Sequence, residues 1–89
     1  MTSIRFTSNI HRHVSAPSFE VEAQTVAEAF DYYFEQYPGV RDYVLDNQGA
    51  VRHHMLVLLN GMAIRDRARL SDAVAPDSEI FVFQALSGG

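Results

Sequence analysis

One amphipathic stretch limits the fold of this chain more than any other feature. Thr25 followed by Glu28 is a capping box: the threonine oxygen accepts the N–H of residue 28, and the glutamate reaches back to the N–H of residue 25. From there Val26, Ala29, Phe30, Tyr33, Phe34 and Tyr37 recur at three- and four-residue steps. Glu28, Asp31 and Glu35 face the other way, and Pro38-Gly39 stops the pattern. A single main helix of this kind has one apolar stripe to bury. The rest of the chain must therefore supply the surface it lies on.

That surface reads as a sheet. Residues Ser3 to Ser8 alternate, with Ile4 and Phe6 apolar and Arg5 and Thr7 polar, the period of a half-buried strand. A loop over Asn9 to Ser18 separates it from a second alternating strand of Phe19, Val21 and Ala23. After the helix, Val40 to Leu45 reads as a short helical turn and Asp46-Asn47-Gln48-Gly49 as a turn. Met55 to Leu59 is a five-residue apolar strand ending in Asn60-Gly61, a strong hairpin signal, with Met62 to Ile64 returning. Leu70 to Ala75 reads as a helical turn and Glu79 to Leu86 as the last strand. The order strand, strand, helix, strand, short strand, strand predicts an α+β domain of the β-grasp plan. Its mixed four- to five-stranded sheet carries one main helix on one face, and the first and last strands run parallel at the centre. The domain is expected over residues 1–86, with residues 87–89 as a flexible tail.

Composition closes off several chemistries. With 89 residues the chain has one core to build, and without cysteine it has no disulfide framework, thiolate metal site or cysteine nucleophile. It contains no lysine, which removes Schiff-base chemistry. A hydrophobic content of 47% with a net charge of −4 is that of a folded rather than a disordered chain. No apolar run approaches the ~20 residues of a membrane span, and no secretory pattern opens the chain, so a soluble, cytoplasmic protein is expected. Scattered arginines on an acidic chain give no footprint for a phosphate backbone, and nucleic acid is not an expected partner.

The sequence ends Leu86-Ser87-Gly88-Gly89. Small residues end many chains because termini fray. They also let an extended tail pass through a narrow channel and bring a carboxylate against a nucleotide phosphate. A carboxylate becomes an electrophile once its oxygen belongs to a leaving group such as AMP, after which a sulfur nucleophile can attack the carbonyl carbon.

The β-grasp order, the Asn60-Gly61 hairpin, the Asp77 turn and the terminal Phe83-Gln84-Ala85-Leu86-Ser87-Gly88-Gly89 together resemble the ubiquitin-like sulfur carriers of the MoaD/ThiS family. The resemblance implies that Gly89 is adenylated by an ATP-dependent, ubiquitin-activating-enzyme-like adenylyltransferase, with Ser87 and Gly88 as its approach. The resemblance further implies that a persulfide donor converts the adenylate to a thiocarboxylate, which then passes its sulfur to a biosynthetic enzyme. On that reading the chain is a cosubstrate rather than an enzyme, binds no cofactor itself, and is monomeric when free. Two alternatives share the activated glycine: a ubiquitin-like protein modifier, and the small subunit of a molybdopterin synthase. The tail has Gln84-Ala85-Leu86 where that subunit usually has a proline-rich approach, thiamine-pathway carriers are usually shorter than 89 residues, and the segment from Pro38 to His54 is closer to the longer carriers that serve cysteine, thiolated-metabolite or molybdopterin pathways.

A regular strand places Leu56 and Leu58 opposite Met55, Val57 and Leu59, and Phe81 and Phe83 opposite Ile80 and Val82. One helix covers one face, so Leu56, Leu58, Phe81 and Phe83 are expected as an open apolar patch for partners, unless a loop folds over them. His11, His13, His53 and His54 lack the companion ligands of a metal site and read as solvated loop histidines. Arg65, Asp66, Arg67 and Arg69 form a mixed-charge loop whose arginines either aid solubility or meet an acidic partner. At helical spacing Tyr33 and Tyr37 belong to the core with hydroxyls at its rim.

Overall fold

The capping box forms, shifted by one donor. The Glu28 N–H donates to Thr25 Oγ1 at 3.1 Å, while Glu28 Oε1 accepts from the Gln24 N–H, at 3.1 Å, rather than from that of Thr25. In this computed structural model, which describes residues 1–7 and 17–84, the cap opens helix α1, Val26–Gln36. The next two donors of its first turn are satisfied by a distant segment: the Val26 N–H reaches the Asp72 carbonyl and the Ala27 N–H the Leu70 carbonyl. This explains a correction. Residues 70–75 are not a helical turn, because Leu70 has a positive φ of 55° and Ala73 bridges antiparallel to Thr25, so the segment crosses the helix start in extended form.

Pro38 also does more than end α1. It is the first residue of a second helix, α2, Pro38–Val44, where its fixed φ and missing N–H cost nothing. The single short turn expected there is thus a helix that begins two residues earlier, and its buried Val40 and Val44 join the core.

The sheet has five strands: β1 Thr2–Phe6, β2 Phe19–Val21, β3 Met55–Leu59, β4 Met62–Ala63 and β5 Glu79–Gln84. Their order is β2-β1-β5-β3-β4, with β1 and β5 parallel at the centre and every other pair antiparallel. Asn60 and Gly61 turn β3 into β4 with φ of 52° and 85°, the pair of positive values that a two-residue hairpin matched to strand twist requires. Asn60 Oδ1 also accepts the Glu79 N–H at 2.9 Å and so fixes where β5 starts.

Both helices lie on one face. Ile4, Val57, Ile80 and Val82 are fully buried beneath them, against Val26, Ala29, Phe30 and Tyr33. Tyr33 is the hub of an aromatic cluster, with ring centroids 4.9 Å from Phe6, 5.0 Å from Tyr37 and 5.7 Å from Phe34. This is the β-grasp arrangement expected from the element order. Among the described residues no helix is long and apolar enough to cross a membrane.

Candidate functional site

The face of the sheet away from the helices is built by strand alternation. On β5, Ile80 and Val82 point inward, so Glu79, Phe81 and Phe83 point outward; on β3, Met55 and Val57 point inward, so Leu56 and Leu58 point outward. Register then sets these side chains side by side. Phe83 pairs with Leu56 and Phe81 with Leu58, and Leu58 pairs in turn with Ala63 of β4. The Phe81 and Phe83 rings lie 5.8 Å apart. Leu56, Leu58, Phe81 and Phe83 are all half-buried, a contiguous apolar surface on two neighbouring strands.

The same strands lead to the tail. Gln84 is the last described residue of β5 and pairs with Met55, and Thr7, just beyond β1, donates its N–H to the Val82 carbonyl at 3.1 Å. The Phe83–Leu56 pair therefore sits at the end of the sheet from which the chain runs on toward residue 89. Ser87, Gly88 and Gly89 lie outside the described residues.

Charge on this face was not singled out by motif. Arg5, Glu20 and Glu79 are the only charged residues in the five strands, and all three face the open side. Arg5 is exposed, pairs with Phe81 across the parallel ladder, and meets no acidic partner among the described residues. The sequence signal was present: Arg5 stands between the inward-pointing Ile4 and Phe6.

The loop after β4 departs from expectation. Arg67 is not free for a partner, because its Nη2 donates to the carbonyls of Arg52 and Met55, both at 2.7 Å, and clamps the turn that leads into β3. Asp66 organises the loop, accepting the Arg69 N–H and the Ser71 hydroxyl, and these donors hold its carboxyl below the usual range. Asp46 is lowered for a like reason, by the N–H groups of Gln48 and Ala50 in the turn after α2. On α1, Asp31 and Glu35 are exposed as expected, but Glu28 is occupied in the cap. His53 and His54 are exposed, no metal-binding group occurs among the described residues, and His11 and His13 lie outside them.

Comparison with known proteins places this geometry. The ThiS family model matches residues 10–89. No curated protein matches the sequence. Among solved structures, small archaeal modifier protein 1 of Haloferax volcanii superposes with a TM-score of 0.77 at 24% identity, over 99% of this chain and 98% of its own. CysO of Mycobacterium tuberculosis gives 0.81 at 15% identity, covering 97% and 100%. A chain of the BexX/CysO complex of Amycolatopsis orientalis gives 0.83 at 18% identity, over the whole of both. These likenesses establish the ubiquitin-like fold.

Proposed function

The chain belongs to the ThiS family, and on that premise we propose that it is a sulfur carrier whose reacting group is the Gly89 carboxylate. An activating enzyme brings that carboxylate against the α-phosphate of ATP; the acyl-adenylate forms and pyrophosphate leaves. The outer sulfur of a persulfide then attacks the carbonyl carbon and AMP leaves; a second thiol cleaves the S–S bond of the acyl disulfide, leaving a disulfide on the donor, and the released thiocarboxylate delivers sulfur to a biosynthetic enzyme. The chain serves as cosubstrate throughout.

The observation that carries this reading is the family match running through Ser87-Gly88-Gly89, which begin three residues after Gln84, the last residue of the central strand β5. Two adjacent glycines at the tip suit a narrow channel, since neither presents a Cβ to its walls. The apolar surface of Leu56, Leu58, Phe81 and Phe83 supplies the docking face. It lies on the strand that leads to the tail, so a partner seated there meets the reacting carboxylate within one short span of chain.

The test is to recover the protein from its host and weigh it intact. One sulfur in place of one oxygen at the C-terminus is the carrier's signature. The structural likeness to small archaeal modifier protein 1 favours a second reading, conjugation of the activated glycine to amines of other proteins, and covalent adducts of larger mass are its signature. A stable heteromeric complex on co-purification points instead to a synthase subunit.

A further inference from the structure

The placement of charge on the open face carries a consequence for what docks there. Arg5, Phe81, Leu58 and Ala63 form one row across four strands, each paired with the next. Neighbouring strands lie about 4.8 Å apart, so an apolar group seated on Phe81 and Leu58 comes within one strand spacing of the Arg5 backbone. Glu20, Ser3 and Glu79 form the adjacent row, two residues along the strands, or about 7 Å away. The face thus presents one cation in line with its apolar centre and two acids to one side of it.

We infer that Arg5 is a specificity-determining contact of the docking face, taking a carboxylate that the activating enzyme presents beside the apolar footprint on Phe81 and Leu58. The inference rests on the carrier reading above. Arg5 is exposed, and no acidic partner among the described residues uses its charge. Docking on Phe81 and Leu58 strips water from the neighbouring guanidinium, and a partner without a carboxylate at that point leaves the charge uncompensated. A partner slipped by one row sets its acid against Glu20 and Glu79 and is repelled. The three charges therefore fix the register of docking as well as its sign. A polyanion does not fit, because those two acids flank the cation and the chain is itself negative. A second copy of the chain, with Glu20 or Glu79 opposite Arg5, is the other chemistry with the right sign.

The experiment uses the full chain with its adenylating enzyme and ATP, following pyrophosphate exchange for wild type, R5Q, R5K and R5E. The expected result is a KM for the carrier raised roughly tenfold or more in R5E and several-fold in R5Q, with R5K nearer wild type and kcat little changed. Wild-type KM also rises with salt more steeply than that of R5Q. An R5E KM within about twofold of wild type overturns the inference and leaves the carrier reading standing. So does a wild-type dimer by sedimentation that R5E abolishes, since the acid is then supplied by a second copy. No adenylation of wild type overturns the carrier reading, and the inference falls with it. Because Arg5 is exposed, unchanged melting of each variant confirms that the fold is not the variable.

Discussion

The Tyr33 hydroxyl donates to the Pro17 carbonyl at 2.8 Å and so ties the middle of helix α1 to the chain two residues before β2. The ring is fully buried, at 0% exposure. Burial, reinforced by the nearby Tyr37, pushes the phenol well above its ordinary range.

Y33F keeps the ring and removes the bond, so it is expected to cost about 1 kcal/mol at neutral pH, read as a lowered urea midpoint. The sign of the pH effect follows from the raised folded value. Below about pH 10 both states hold the proton; above it the unfolded chain releases it first, so stability falls as pH rises toward the folded value. Wild type should lose stability above that point more steeply than Y33F. Parallel alkaline limbs for the two proteins count against the burial argument.

The Arg67 clamp makes a second claim on stability. Its two bonds go to carbonyls of the turn between residues 52 and 55, and the Val51 N–H returns to the Arg67 carbonyl at 2.8 Å. R67A is expected to cost about 2 kcal/mol, the range for hydrogen bonds from charged donors, and to speed amide exchange through residues 51–55. R67K, with a point charge in place of a fork, should recover only part of this. Wild-type exchange in that turn with R67A in place contradicts the clamp.

What the sequence disclosed and what it hid differ in kind. Periodicity and punctuation placed α1, the Asn60-Gly61 hairpin, β3 and the inward and outward sets of β3 and β5, because each is decided by neighbours within a few residues. The failures lie where distant backbone decides. Residues 70–75 are extended because the first turn of α1 needs acceptors, and Arg67 is internal because the carbonyls of Arg52 and Met55 lie beside it in space; neither partner is visible in the local pattern. The outward direction of Arg5 was legible from Ile4 and Phe6, but its place beside Phe81 needed the parallel pairing of β1 with β5. The tail glycines were legible as residues only.

Leu58 separates docking from folding. It is half-buried beside Phe81, so L58D costs some stability, about 1 kcal/mol for the apolar area it withdraws. At the centre of a docked interface the same change leaves a desolvated charge and should weaken binding to the activating enzyme by roughly a hundredfold, about 2.7 kcal/mol. The two are measured on one sample, by denaturation and by titration calorimetry. Loss of affinity no larger than loss of stability removes Leu58 from the docking face.

The final prediction concerns the tail. Residues 87–89 lie beyond the last described strand residue, Gln84, and among the described residues the hydrophobic core runs from Ile4 to Val82. Deleting Gly89, or making G88V, should therefore leave thermal melting unchanged within error. Adenylation should nevertheless be lost. The deletion moves the carboxylate back by one residue, about 3.4 Å in an extended chain, which is beyond the tolerance of an in-line attack on the α-phosphate. Valine at position 88 fails for another reason: its branched Cβ stiffens the tail and fills a channel sized for glycine. Pyrophosphate exchange by the activating enzyme reads both variants. If the Gly89 deletion is still adenylated at the wild-type rate, the reacting carboxylate is not the one assigned, and the carrier reading loses its chemical centre even though the fold stands.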